Sequence, residues 1–326
     1  MITNFIILIF NIFIFKNYTY ISKKYNIYDY PDNIRKKHTS PTPLIGGLVI
    51  YLNLVLYYFL YLNFDLNEGD LFASKYEMTV FFLTASSFFF LGLVDDKYQV
   101  KANHKLLVVS LLIVGMMYFD QKIILESIDF TFYNHDLNLK PFQYFFTVLC
   151  FLLFVNALNM LDGINGQVAS YSIFIIILFV FSKIDIFFLL IPLTIFLLFN
   201  FKNKMFLGDS GTMLLGFVIS YFFTKNHNSL NSFASDEIFL IMMIPGFELL
   251  RLALTRIINH KHPFKPDTNH IHHYMLKKYS FKKTYLLIQL LLILPYLSYL
   301  LVLNSIYSFL LSIFMYTIII RKFSKF

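Results

Sequence analysis

The chain has 326 residues, of which 58% are hydrophobic and only 14% charged, and its mean hydropathy is +0.64. Because a soluble domain of this length needs more charged surface, the composition excludes that class and predicts a protein that lies in a bilayer. The net charge of +8 does not by itself indicate a nucleic-acid partner, since membrane proteins collect Lys and Arg in their cytoplasmic loops. The single cysteine, Cys150, excludes a disulfide within the chain.

Eleven apolar segments approach the length of about 20 residues that a helix needs to cross a bilayer. They lie at 1–21, 44–63, 78–94, 105–119, 142–160, 167–182, 184–200, 211–224, 237–255, 284–303 and 305–320. We therefore predict an all-α polytopic membrane protein, a single domain over 1–326 with about eleven transmembrane helices. The alternative is ten, if 305–320 lies along the interface or forms a re-entrant hairpin with its neighbour. Residues 1–15 lack a basic region before them and a cleavage site after them, which predicts a first span rather than a signal peptide.

The loops between eleven spans fall alternately on the two sides of the membrane. Of the 27 Lys and Arg residues, twenty lie in one set of loops and the C-terminal tail, and five lie in the opposite set. The positive-inside rule then predicts an outer N-terminus and a cytoplasmic C-terminus. On the outer side, short alternating runs near 122–140 predict a small β-hairpin.

Polar residues that packing does not readily explain fall on the cytoplasmic side. They lie in or beside five loops, at about 22–43, 95–104, 160–166, 200–210 and 256–283. This one-sided grouping predicts that the loops converge in one pocket at the membrane surface. An ion-coupled transporter is the alternative from another class, but its charged residues would lie near the bilayer midplane and on both sides.

The stretch from Asn156 to Gly166 carries the strongest signal. Asn156 and Asn159 share a helix face, Asp162 follows three residues later, and Gly163 and Gly166 allow the backbone to approach a ligand closely. An amide-capped helix end with a glycine turn is the simpler structural explanation, but the repeated polar spacing favours a site.

Two further loops carry carboxylates. Asp95 and Asp96 are adjacent at a helix exit, where like charges are favourable together only with a cation or in solvent. Lys105 is either a snorkelling lysine at the interface or a phosphate contact. Asp209 precedes a new apolar helix, either as an ordinary N-cap or beside a helix end that receives a phosphate.

The remaining two loops are basic. Three histidines, His270, His272 and His273, suggest zinc at first sight, but no cysteine lies nearby and the loop is basic, which favours anion binding. A second basic run at 35–38 precedes a Pro-Leu-Ile-Gly-Gly turn at 43–47. Carboxylate and amide oxygens suit Mg²⁺, and cations suit phosphate, so the five loops together predict phosphoryl transfer.

In order and spacing these motifs resemble the polyprenyl-phosphate N-acetylhexosamine-1-phosphate transferases, and most of all their undecaprenyl-phosphate GlcNAc-1-phosphate transferase branch. The resemblance covers residues 29 to 273. Its motifs are Asp-x-Pro at 29–31, Arg-Lys-Lys-His at 35–38, Gly-Leu-Val-Asp-Asp at 92–96, Asn-x-x-Asn-x-x-Asp-Gly at 156–163, Phe-x-Gly-Asp-Ser-Gly-Thr at 206–212 and His-Ile-His-His at 270–273.

The resemblance implies a reaction between two phosphates at a bacterial plasma membrane, with the active site on its cytoplasmic face. Undecaprenyl phosphate attacks the β-phosphorus of a UDP-N-acetylhexosamine, UMP leaves, and the lipid-pyrophosphate-sugar initiates a cell-surface glycan such as O-antigen. It implies Mg²⁺ as cofactor, with Mn²⁺ as the alternative ion. The expected partners are the two substrates, membrane lipid and a second copy in a homodimer, with no nucleic acid. The alternative enzyme is a phospho-N-acetylmuramoyl-pentapeptide transferase.

The resemblance also implies a role for each motif. Asp95 and Asp96 match the acidic pair credited with activating the lipid phosphate or assisting the metal, and Asn159 and Asp209 match the Mg²⁺ ligands. The implied substrate-binding residues are Lys105 for phosphate, Asp162, Gly163 and Asn165 for the nucleoside, Phe206 for stacking on uracil, and His270, His272 and His273 for pyrophosphate and sugar.

Four positions depart from the family pattern. Many relatives have Asp where this chain has Asn165 and Glu248, Arg where it has Thr268, and Ser where it has Thr212. The departures at 212 and 268 concern sugar specificity more than the chemistry. We expect direct attack by the ionised lipid phosphate rather than a covalent aspartyl intermediate.

Overall fold

The computed structural model describes residues 2–31, 40–64, 71–230, 232–263 and 269–323. Within these ranges the chain is mainly helical and has two small antiparallel sheets. In chain order the elements are α1 (Ile2–Lys16), α2 (Tyr18–Tyr25), β1 (Tyr28–Asp29), β2 (Thr42–Pro43), α3 (Gly46–Asn63), α4 (Lys75–Tyr98), α5 (Ala102–Phe119), β3 (Ser127–Phe130), β4 (Tyr133–Asn138), α6 (Gln143–Leu161), α7 (Gln167–Phe181), α8 (Leu190–Phe201), α9 (Gly208–Leu230), α10 (Ser235–Ile258), α11 (Ile271–Leu276), α12 (Phe281–Val302) and α13 (Ser305–Phe323).

Each of the eleven predicted apolar segments coincides with a helix. Among the described residues, seven helices are long and apolar enough to cross a membrane, namely α3, α4, α5, α6, α10, α12 and α13. The pair α1 and α2 would make an eighth span, and α7 and α8 belong to shorter apolar helices. The predicted class, an all-α polytopic membrane protein, is confirmed, while the count of eleven crossings stays a prediction.

The first predicted segment is not one straight helix. Between α1 and α2 the axis bends by 62° at Asn17, whose side-chain amide donates to the carbonyl of Phe13 at 2.8 Å. The apolar sequence ends at Lys16, and α2 carries Tyr and Lys side chains that favour the membrane–water interface. The bend therefore separates an apolar helix from an interfacial one.

By their internal contacts the residues form two compact units. The first comprises Met1–Asp120 and Val168–Ile219. In it α1 packs on α3 and α8, α3 packs on α4, and α4 packs on α5. Two buried amides join α1 to α3, since Asn11 and Asn53 exchange hydrogen bonds of 2.7 and 3.0 Å. In apolar surroundings such a reciprocal pair leaves neither amide unsatisfied.

Backbone contacts hold the start of α9 in place within this first unit. The chain leading into α3 pairs with the chain leading into α9, because Gly46 N–H donates to the Phe206 carbonyl at 2.9 Å and Phe206 N–H donates to the Pro43 carbonyl at 2.8 Å. Gly92 of α4 lies so close to α9 that an added Cβ would sit 2.6 Å from the Ser210 nitrogen. The motifs at 43–47, 92–96 and 206–212 are thereby brought together.

The second unit comprises Gln121–Gln167 and Ser220–Phe326. In it α10 packs on α6, α12 and α13, and α11 packs on α12 and α13. The predicted β-hairpin is confirmed as the antiparallel pair β3 and β4, with Ser127 opposite Asn138. Its turn is tied to the start of α10, since Thr131 N–H donates to the buried Asp236 carboxylate at 3.1 Å. Its predicted position on the outer side stays a prediction.

We expect Gly92→Ala to lower the free energy of unfolding by about 1–3 kcal/mol, because the new methyl group meets the backbone of α9. Thermal unfolding in detergent measures this loss. The matched control is Gly115→Ala on α5, where an added Cβ would have no neighbour within 4 Å. Equal melting temperatures for the two variants would contradict the close contact.

Candidate functional site

The first carboxylate of the site, Asp95, is held from two sides within the first unit. Its side chain is 4% exposed near the end of α4, and its Oδ1 accepts a 2.8 Å hydrogen bond from the Val100 backbone N–H. Its Oδ2 forms an ion pair with the ammonium of Lys105 on α5. A buried carboxylate needs such partners, since leaving water is costly for an unpaired charge.

The second carboxylate, Asp96, caps the N-terminus of α9. Its Oδ1 accepts from the Asp209 N–H at 2.7 Å, and its Oδ2 accepts from the Ser210 N–H at 3.0 Å. Gly208 precedes them with a φ of +75°, and a side chain there would lie 2.8 Å from the Asp96 carboxylate. A phosphate expected at this helix end would therefore have to compete with a carboxylate for these two donors.

The third carboxyl, Asp209, lies in one cluster with Asp95 and Asp96. Desolvation by the surrounding protein raises the pKa of Asp209 well above its usual range, and a hydrogen bond with Asp95 raises it further, while Lys105 lowers it. Among the described residues, Lys105 is the cation that acts on this carboxyl. A divalent cation would stabilise the three carboxylates together, and the oxygen donors fit Mg²⁺.

Protein side chains alone do not enclose a metal here. Within the described ranges no group of three or more His, Cys, Asp or Glu side chains has an arrangement that could hold a metal ion. Mg²⁺ usually keeps several waters and binds one or two carboxylates together with substrate phosphates. The carboxyl cluster therefore fits a metal that arrives with a phosphorylated substrate better than a closed structural site.

The Phe206 side chain lies at this end of the first unit. Its ring is half-buried, while its backbone is fixed by the hydrogen bonds to Pro43 and Gly46. A fixed backbone with a partly exposed ring is a suitable platform for stacking on a base. The basic run at 35–38, which belongs to the same predicted site, lies outside the described residues.

In the second unit, the strongest motif ends α6 and forms a turn. Asn156 stays within the helix and donates to the Leu152 carbonyl at 2.7 Å. Asn159 is half-buried in the last turn of α6, and beyond the helix Asp162 is exposed and Asn165 is half-buried. Gly166 has a φ of +82°, which an L-residue adopts only with strain. The helix end and the turn form as predicted.

The histidines lie against this turn. His272, on α11, is 3% exposed, and its ring covers Gly163 so closely that an added Cβ there would collide with the imidazole. The rings of His272 and His273 lie 4.3 Å apart, and those of His270 and His272 lie 5.2 Å apart. The structure therefore joins two motifs that are about a hundred residues apart in the sequence.

Burial decides the charge of His272. Desolvation lowers its pKa well below 6.5, and the neighbouring His273 and His270 lower it further. The ring is therefore neutral at pH 7, so it can donate one hydrogen bond and accept another but does not carry positive charge. A pyrophosphate contact by His272 would rest on hydrogen bonding rather than on ion pairing.

Three residues next to the histidines received no role from the sequence. Arg251 on α10 forms an ion pair with Glu248 on the same helix, through hydrogen bonds of 3.0 and 2.8 Å. The hydroxyl of Tyr316 on α13 donates to Glu248 Oε2 at 2.7 Å. The available signal was the pair of opposite charges three residues apart inside the apolar segment 237–255, because such charges rarely lie in a span without a role.

The predicted site residues thus gather in two sets. The first unit brings together Asp95, Asp96, Lys105 and Asp209, with Phe206 preceding α9, and the second brings Gly163 to the histidines. The prediction that all of them converge in one pocket stays a prediction, as do the individual roles. Residues 264–268, which include Thr268, lie outside the described residues.

We expect the contribution of His272 to the stability of the protein to fall as the pH drops below 6.5. Because the pKa of His272 is lower in the folded state, the unfolded state binds more protons below pH 6.5. This contribution is fully present above that pH, and at most about 1.4 kcal/mol is lost per pH unit below it. Thermal unfolding between pH 7.5 and 5 measures the effect.

The control for this titration is another histidine of the second unit. His272→Gln should remove the loss of stability that this ring causes below pH 6.5, whereas His135→Gln, at an exposed position on β4, should leave the pH profile unchanged. An unaltered pH profile in the His272 variant would show that the buried ring does not cause the effect.

Comparison with known proteins agrees with the motifs. Residues 78–226 match the model of glycosyl transferase family 4. The chain is 25% identical over 286 residues to the undecaprenyl-phosphate alpha-N-acetylglucosaminyl 1-phosphate transferase of Escherichia coli K12, covering 83% of this chain and 75% of that protein.

Two relatives from other bacteria extend the similarity. The enzyme of the same name from Thermotoga maritima is 29% identical over 268 residues, which cover 82% of this chain and 79% of that protein. The probable undecaprenyl-phosphate N-acetylglucosaminyl 1-phosphate transferase of Bacillus subtilis is 29% identical over 270 residues, covering 78% and 71%. The resemblance inferred from the motifs is thereby confirmed, and residues 78–226 are similar to glycosyl transferase family 4.

Proposed function

We propose that the protein transfers N-acetylglucosamine 1-phosphate from UDP-N-acetylglucosamine to undecaprenyl phosphate. An oxygen of the lipid phosphate bonds to the β-phosphorus, the bond from that phosphorus to the bridging oxygen breaks, and UMP leaves with that oxygen. The names of the bacterial relatives support the sugar and the lipid. The observation that carries the proposal is the cluster of Asp95, Asp96, Asp209 and Lys105, because it combines three carboxyls that suit a divalent cation with an ammonium for phosphate.

Each group of the cluster has a proposed task. Asp209 binds Mg²⁺, which when bound neutralises charge on the diphosphate, and the resemblance makes Asn159 the second ligand. The ammonium of Lys105, which forms an ion pair with Asp95, also attracts a phosphate oxygen of the substrate. Asp96 keeps α9 and Asp209 in place through its two backbone hydrogen bonds. The lipid phosphate needs no base once it is ionised.

The residues of the second unit are proposed to bind the donor. The resemblance assigns Asp162, Gly163 and Asn165 to the nucleoside and the three histidines to pyrophosphate and sugar. Neutral His272 suits a phosphoryl oxygen or a sugar hydroxyl, since it offers one donor and one acceptor. Its neighbours His270 and His273 lie less buried and extend the set of donors.

The reaction is proposed to take place at the cytoplasmic face of a bacterial plasma membrane. The concentration of Lys and Arg in the loops that carry the motifs supports this orientation, with the N-terminus outside. The lipid product would initiate a cell-surface glycan such as O-antigen, and a homodimer is the proposed assembly.

The decisive experiment measures UMP release by the protein in detergent with undecaprenyl phosphate and Mg²⁺. The donors are UDP-GlcNAc, UDP-GalNAc and UDP-MurNAc-pentapeptide, each with and without EDTA. We expect release with UDP-GlcNAc and its loss with EDTA. A folded protein that releases no UMP from any donor would refute the proposal, and proton- or sodium-driven uptake into liposomes would favour a transporter.

We expect Asp209→Ala to lower the turnover number by more than about a hundredfold at any practical Mg²⁺ concentration, because the variant loses a metal-binding charge. The control is Asp185→Ala, since Asp185 is an exposed carboxylate in the same unit. The assay is UMP release after folding has been checked by thermal unfolding. Near-normal turnover in the Asp209 variant would remove this residue from the catalytic machinery.

We expect Phe206→Ala to raise the Michaelis constant for the UDP-sugar about tenfold and to change the turnover number little, since stacking supplies binding to substrate and transition state alike. The backbone hydrogen bonds at this position do not depend on the ring. The control is Phe181→Ala, which removes an exposed ring in the same unit. Unchanged nucleotide affinity would contradict the stacking role.

A further inference from the structure

We infer that Tyr316 is a positioning residue for the histidine loop, defined as residues 269–274, and that it acts through Glu248 and Arg251. The inference rests on the proposed function for its effect on the reaction, and on hydrogen bonds within the second unit for its effect on the loop. Tyr316 lies on α13, outside the stretch 29–273 that carries the family motifs.

The carboxylate of Glu248 holds the start of the loop. It is 4% exposed on α10, and its Oε1 accepts a 2.7 Å hydrogen bond from the backbone N–H of Ile271. Ile271 is the first residue of α11 and directly precedes His272. A bond from an N–H to a buried carboxylate is stronger than a bond between neutral groups, so Glu248 fixes where α11 begins.

The guanidinium of Arg251 holds the loop at two further points. Its Nη2 donates to the Asn269 carbonyl at 2.7 Å, just before the histidines. The same guanidinium lies 5.8 Å from the centre of the Tyr274 ring, just after them. Glu248 and Arg251 therefore contact the backbone or side chains on both sides of the three histidines.

The hydroxyl of Tyr316 fixes this ion pair from the opposite side. It donates to Glu248 Oε2 at 2.7 Å and accepts from Arg251 Nε at 3.2 Å, and the side chain is 7% exposed. Without the hydroxyl, Glu248 Oε2 keeps Arg251 Nε as a partner but loses its O–H donor. The carboxylate then has one hydrogen bond fewer to fix its orientation, and its bond to Ile271 weakens.

A weaker bond at Ile271 affects the site because the His272 ring is closely packed. Its ring covers Gly163 and stands 4.3 Å from the ring of His273, so a small shift of Ile271 changes what His272 can reach. A tyrosine that merely joined α13 to α10 would affect global stability alone. A positioning residue also affects the exchange of one backbone amide and the binding of the donor.

The test compares Tyr316→Phe with Tyr307→Phe on the same helix, where the ring is 65% exposed. Hydrogen–deuterium exchange of the full-length protein in detergent is followed at the peptide that contains Ile271. We expect exchange there to accelerate about tenfold in the Tyr316 variant and to stay unchanged in the control, in line with the loss of a hydrogen bond to a charged group.

A second readout is kinetic. In the Tyr316 variant we expect the Michaelis constant for the UDP-sugar to rise and that for the lipid phosphate to stay constant. Equal exchange and equal constants in both variants would overturn the inference. A wild-type protein without transferase activity would refute the proposed function, but the exchange result would still decide whether Tyr316 holds the loop.

A second substitution keeps the test decisive if the first variant unfolds. Glu248→Gln retains size and one acceptor oxygen but loses the charge, and it should accelerate exchange at Ile271 at least as much as Tyr316→Phe. Global unfolding of both variants, with exchange raised equally across the second unit, would show a structural role alone and overturn the inference.

Discussion

Charged side chains in a mostly apolar chain need partners within the protein, and this constraint shapes the site. Asp95 has a lysine and a backbone amide, Asp96 has two amides at a helix start, and Glu248 has an arginine, a tyrosine and an amide. These partners hold the loops that carry the charged groups. Under the proposed function, the donors and charges that meet the substrate phosphates are thus held by the protein itself, which limits reorganisation during the reaction.

Glycine residues allow the motif loops to meet, because these loops come together only where backbones approach closely. Gly92 admits α9 against α4, and Gly163 admits the His272 ring. Gly208 takes a positive φ beside Asp96. The space left by the missing side chain is filled by the backbone of α9 at Gly92, by an imidazole at Gly163 and by a carboxylate at Gly208.

Hydropathy predicted the helices well, since a bilayer imposes their length and composition, and alternation predicted the β-hairpin. The bend at Asn17 was missed because an apolar run says where a helix is buried, not where its axis turns. Motif order and spacing identified the resemblance that the comparisons confirm, and they named residues that the structure brings together, such as Asp95 with Lys105. The sequence could not predict hydrogen-bond partners. Asp96 accepts from the backbone amides of α9 only because α4 packs on α9, more than a hundred residues away in the sequence.

The position of Tyr316 has a consequence for the order in which the protein matures. A ribosome delivers the histidine loop before it delivers α13, so the loop is synthesised while the hydroxyl that completes its support is still missing. A membrane chain in which α13 has not yet inserted would carry every motif and still hold Glu248 incompletely. Under the proposed function, assembly of the donor-binding side is thus coupled to the insertion of α13.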